Sequence, residues 1–251
     1  MSHFSALGAS PLGIRESRGR GRRSRRGARI FGISLLTIGV ITVTVIGVQL
    51  LRGAIARERA RSAWTRLMAS ASISSIAGLN LTRVASGTPV VRVIMPSIRL
   101  DEVVVEGLSD KDLWAGPGHM PGTVFPGGTG NSVISAHRDR HFHRLDDVRV
   151  GDLVETQTAQ MNVMWRVTTR QVVTRDAKVI FESSTPMLTL TTCWPTRYIG
   201  PAPDRLILTA VPVSVRERAG AVRVVTAPAV RAVTTPAGAA RRVTDSAAAS
   251  R

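Results

Sequence analysis

A chain of 251 residues with 43% hydrophobic and only 4% aromatic residues has room for one domain built on Val, Ile and Leu, plus accessory segments. Its formal net charge of +17 points to nucleic acid or an anionic membrane as a partner. The distribution counts against the first: residues 87–215 hold 13 basic and 13 acidic residues, whereas residues 1–86 hold 14 and 2, and the last 36 hold 7 and 2.

Residues 1–29 read as a basic tail, with eight Arg and one Glu in the block RESRGRGRRSRRGAR at 15–29. Residues 30–51, IFGISLLTIGVITVTVIGVQLL, carry no charge over 22 positions. A helix of that length spans roughly 33 Å, enough for a bilayer core of about 30 Å. The positive-inside rule puts the basic tail in the cytoplasm and everything after the span outside. The expectation is a single-pass protein of the cytoplasmic membrane. A cleaved signal peptide is the alternative, but the apolar run is longer than a signal core and no A-x-A site follows it. A twin-arginine export signal fits less well, because the arginines form a block.

Residues 54–68, AIARERARSAWTRLM, are rich in helix formers and predict a stalk helix. Residues 69–87 are rich in Ser, Ala and Gly and complete a stalk and linker over 52–87. From residue 88 to 215 the pattern changes to short Val-, Ile- and Thr-rich runs broken by Gly and Pro. Strands are predicted at 90–94, 100–106, 132–136, 153–158, 162–173, 187–192 and 205–212, with a short helix at 109–114. That spacing suggests a mainly β barrel or sandwich with short helical insertions. Residues 216–251, mostly Ala, Arg, Val, Thr and Pro without an aromatic, predict a disordered basic tail.

The only cysteine, Cys193, stands at the end of the apolar run MLTLTTC. Outside the membrane a lone thiol is a buried packing residue, an intermolecular link or a nucleophile. A nucleophile needs a proton partner and a donor for the oxyanion. His3 lies in the tail, which leaves His119, His137, His141 and His143. His137 ends the strand-like run NSVISAH, so two strand ends can meet at one rim of a barrel. His119, in GPGHMPG, belongs to a Gly/Pro loop and is a candidate substrate contact. Arg205 opens the strand after GPAPD and falls near Cys193 if that strand pairs antiparallel with 187–192. Its guanidinium suits a developing oxyanion. A zinc site from His137, His141, His143 and Cys193 has H-x3-H-x-H spacing that matches no zinc pattern, and Asp139 between two arginines reads as an ion-paired loop residue. No acidic cluster suits calcium. No metal or cofactor is expected.

TLTTC, residues 189–193, resembles the sortase signature T-L-x-T-C. ISAHRD at 134–139 is similar to the sortase segment that holds the catalytic histidine, and APDRLIL at 202–208 to the one that holds the catalytic arginine. SIRLDEVVVEG, GPGHMPGT and FHRLDDVRVGDLVE also look like the family, and the resemblance runs from about residue 90 to 213. GPGHMPGT and GPAPDR look most like class D, although Trp194 follows the cysteine where many class D members have tyrosine. The resemblance implies a closed eight-stranded β-barrel and a cysteine transpeptidase. Cys193 would attack the Thr–Gly or Thr–Ala bond of an LPxTG-like sorting motif in a secreted protein and form a thioester. His137 would protonate the leaving amine and then help to deprotonate an amine acceptor. Arg205 would hold the substrate carbonyl. Thr192 and His119 would contact substrate. Competing readings are a tethered β-barrel that binds anionic polymer or lipid without catalysis, and a hydrolytic cysteine peptidase.

Overall fold

The computed structural model describes residues 20–70, 84–177, 182–198, 200–217, 222–224 and 240–241. The chain divides into two compact units, Met1–Leu51 and Arg52–Arg251. Helix α1, Arg20–Ser70, contributes to both.

In the first unit the apolar stretch of α1 leaves its side chains exposed, and the helix is long and apolar enough to cross a membrane. Its few polar groups are satisfied locally. The hydroxyls of Thr37, Thr42 and Thr44 donate to the carbonyls of Ser34, Ile38 and Val40 at 2.9, 2.8 and 2.8 Å. A helix in hydrocarbon requires such internal pairing, because lipid offers no partner.

In the second unit the remainder of α1 is not a free-standing stalk. Ala60 and Trp64 are buried against Val103 and Val105 of the sheet. Arg57 binds Glu102 through both its Nη2 and its Nε, the latter at 3.1 Å. Burying one tryptophan face contributes roughly 1.5–3 kcal/mol, more than a part-exposed ion pair of about 0–1 kcal/mol. The apolar seam therefore dominates this docking. Residues 71–83, which carry most of the expected linker, lie outside the described residues.

The sheet closes into a barrel. Its strands are β1 Pro89–Met95, β2 Leu100–Glu106, β3 Gly118–His119, β4 Asn131–Ser135, β5 Leu153–Gln157, β6 Met161–Thr174, β7 Met187–Trp194 and β8 Asp204–Glu217. The order is β6-β5-β1-β2-β3-β4-β7-β8, and β8 pairs back onto β6 to seal the cylinder. Alternation sends Val91, Val93 and Met95 of β1, Leu188 and Leu190 of β7, and Leu206 and Leu208 of β8 into one core. The fully buried Trp165 donates its indole N–H to Thr156 Oγ1 at 2.7 Å, so the largest core side chain leaves no unmet donor.

The predicted helix forms as α2, Asp110–Ala115. Ser109 caps it in a reciprocal capping box with Asp112. Strand β3 lies in what the sequence suggests is loop. Its two residues join β2 in parallel and β4 antiparallel. Of the tail, expected to lack regular structure, residues 222–224 form β9 on β8 and residues 240–241 form β10 on β6. The other residues of 218–251 lie outside the described residues.

Candidate active site

Strands β4 and β7 run parallel, with Ser135 opposite Thr191, and β7 runs antiparallel to β8, with Cys193 opposite Arg205. β4 ends at Ser135, but Ala136 is still tied to β7: its N–H donates to Thr191 O at 3.2 Å and its carbonyl accepts from Thr192 Oγ1 at 2.8 Å. His137 is the next residue, so it follows directly beside the end of β7. Cys193 and Arg205 share a face: Leu190 and Leu206 belong to the core, so by strand alternation Cys193 and Arg205 point outward. Cys193 is exposed, and His137 and Arg205 are half-buried. The exposed thiol removes the reading of Cys193 as a packing residue.

The structure sets Cys193 opposite Arg205, with His137 one residue beyond Ala136, which bonds to β7, and gives two of the other histidines different surroundings. His141 is buried beside Glu102, with Nδ1 3.6 Å from its Oε1. His143 is exposed, and its Nδ1 donates to Arg140 O at 2.6 Å. His119 and Thr192, expected as substrate contacts, both have internal partners. Nδ1 of His119 lies 2.6 Å from Glu106 Oε2, while Nε2 lies 3.0 Å from Val124 O and 3.1 Å from Thr123 Oγ1. Its ring is buried and stacks on Phe125 with centroids 4.6 Å apart. It pins the loop after β3 to β2. The buried Thr192 donates its hydroxyl to Ala136 O at 2.8 Å, across the β4–β7 seam next to His137. Both residues position backbone.

Two residues close in sequence to His137 and Cys193 escaped the sequence reading. Arg138 Nη1 donates to Pro195 O at 2.7 Å, its Nη2 donates to Gly200 O, and its guanidinium lies 5.7 Å from the Tyr198 ring centroid. It ties the end of β4 to the β7–β8 loop, which the chain enters through a cis Trp194–Pro195 peptide. Thr191 Oγ1 is buried with no hydrogen-bond partner among the described residues. Alternation from Cys193 was the available signal for Thr191. Arg138 gave none, because its partners lie about sixty residues away.

Comparison with known proteins agrees with the barrel. Residues 93–213 match the sortase domain family. The chain is 30% identical over 116 residues to Sortase D of Bacillus subtilis (strain 168), a match covering 45% of this chain and 59% of that protein. The structure of a Clostridium perfringens Sortase D5 transpeptidase superposes with a TM-score of 0.56 at 21% identity, covering 63% of this chain and 98% of the other. Residues 93–213 thus resemble a sortase domain in sequence and share its barrel fold, and the chain spans 59% of the length of the curated Sortase D that it matches.

Proposed function

We propose that this protein is a membrane-anchored transpeptidase. It cuts an LPxTG-like sorting motif in secreted proteins and passes the acyl group to an amine. The observation that carries this reading is the exposed Cys193 opposite Arg205 across β7 and β8, with His137 two residues beyond the end of β4, the strand on the other side of β7.

The Cys193 thiolate adds to the carbonyl carbon of the motif's threonine. The carbonyl oxygen becomes an oxyanion, held by the fixed N–H fork of Arg205. The C–N bond then breaks and the departing amine takes a proton from His137, leaving a thioester. An acceptor amine adds to the thioester while neutral His137 takes its proton. Collapse forms the new amide and returns the thiolate. The basic block before the apolar span supports an orientation with the barrel outside the cytoplasm, where secreted substrates pass.

The test is intact-mass spectrometry of the full chain in detergent with a vinyl sulfone analogue of the sorting peptide. One adduct on Cys193 is expected, forming roughly 10²–10³-fold more slowly in Arg205→Ala. His137→Ala should slow turnover of an amide substrate by roughly 10²–10⁴-fold. A folded wild-type chain that forms no adduct would overturn the reading.

A further inference from the structure

A pocket of about 250 Å³ lies between α1, the β1–β2 turn and the loop after β4, and its lining includes none of His137, Cys193 and Arg205. Four arginines, Arg57, Arg61, Arg99 and Arg144, line it against two carboxylates, Asp101 and Glu102. Both carboxylates are already neutralised. Asp101 accepts two bonds from Arg92, which is not part of the lining, at 2.7 and 2.6 Å. Glu102 is held by Arg57. Arg61 donates to a neutral carbonyl, Asp101 O, at 3.1 Å, and lies 3.9 Å from Glu102. Arg99 forms no ion pair among the described residues. Arg144 is paired with Asp147 at 3.1 Å, so the cationic excess of the pocket rests on Arg99 and Arg61.

Two further features point to a ligand. Arg99 is the non-glycine residue with left-handed backbone among those described, at φ 54° and ψ 38°. Glycine adopts that turn more readily, yet the position holds a long cation at the pocket. His141, 8% exposed, also lines the pocket, and its Nε2 has no hydrogen-bond partner among the described residues. A buried imidazole nitrogen without a partner calls for a bound group to satisfy it. Arg57 follows the last apolar residue of the span by six positions.

We propose that this pocket binds a phosphate-type oxyanion, and that in the membrane the oxyanion is the phosphodiester of an anionic phospholipid headgroup. Guanidinium forks match phosphate oxygens in pairs. The site does not depend on the catalytic reading.

The experiment follows the imidazole ring signals of His141 and His143 by NMR, on the full chain in zwitterionic detergent. His143→Gln assigns the exposed ring. Inorganic phosphate is titrated first, then phosphatidylglycerol in mixed micelles, with phosphatidylcholine and sodium chloride as controls. The readout sits in the pocket, so lipid gathered by the arginines of residues 15–29 does not register. Saturable shifts with phosphate and with phosphatidylglycerol are expected, each weakened about fivefold in Arg99→Gly, which removes one cation and suits the turn. Response to inorganic phosphate alone would overturn the lipid assignment. No saturable response, or an Arg99→Gly chain that binds like wild type, would overturn the site.

Discussion

At the level of single residues, the proposed catalytic residues could be singled out because the sequence marks each at the end of a strand-like run. Cys193 is the only thiol, His137 closes an apolar run, and Arg205 opens one. Their partners were not legible. Arg138 is one position from His137, but its bonds to Pro195 and Gly200 exist only because β4 and β7 lie side by side. His119 reads as a loop residue free to meet substrate. Its partner Glu106, thirteen residues earlier, is brought to it by the parallel pairing of β2 and β3. Arg138 yields a direct prediction. Losing both guanidinium arms frees the loop that follows Cys193 while leaving the core untouched. In Arg138→Ala, acylation should slow by roughly 10- to 100-fold, as expected when reacting groups are misplaced by about 1 Å. The thermal midpoint should barely move. Arg138→Lys should not restore the rate, since an ammonium cannot reproduce the two-armed geometry. Rates with a fluorogenic sorting peptide, measured beside melting curves, check both statements.

At the level of elements, alternation of Val, Ile and Thr located seven of the barrel's eight strands, because their periodicity is a local property. Strand β3 is different. Gly118 and His119 form a strand only because β2 and β4 leave a slot between them. The Gly and Pro of GPGH that suggest a loop are what let the chain enter that slot. A Cβ on Gly118 would collide with the carbonyl oxygen of Gly107 and press on Leu108 and Leu113. Gly107 cannot retreat easily, since its own N–H donates to His119 O at 2.9 Å. Gly118→Ala should therefore lower stability by about 1–3 kcal/mol, the usual range for overpacking a tight site. Chemical denaturation of the full chain in detergent measures it. Gly122→Ala is a useful companion. Its Cβ would meet nothing within 4 Å, so only its positive φ of 85° is strained. It should be the milder of the two.

At the level of the whole chain, charge and hydropathy separated a basic tail, an apolar span and a neutral middle. They did not show that the helix leaving the span docks on the barrel. The reason is physical: the buried part of the apolar seam is Ala60 and Trp64 on one side and Val103 and Val105 on the other, flanked by partly buried Leu67, Met68 and Ala115, too few positions to stand out in an Arg-rich helix. The polar half of the same contact centres on Glu102. Burial works against its charged form, but His141 and Arg57 outweigh that and hold the carboxyl below its ordinary value of 4.5. Asp101 is likewise lowered, chiefly by its bonds to Arg92. A carboxyl with a depressed folded value binds fewer protons when folded than when unfolded. Its contribution to stability is thus complete above the unfolded value, near pH 4.5 for Glu102, and is lost as pH falls through the folded value. The full chain in detergent should lose stability steeply as the medium is acidified below about pH 4.5. Glu102→Gln abolishes that proton uptake, so its stability should be lower near neutrality and fall less steeply on acidification. Melting curves of wild type and Glu102→Gln from pH 3 to pH 7, at roughly half-unit steps, compare the two slopes. Parallel slopes would mean that Glu102 titrates alike in the folded and unfolded chains, and the ionic half of the contact between helix and barrel would then contribute nothing to holding them together.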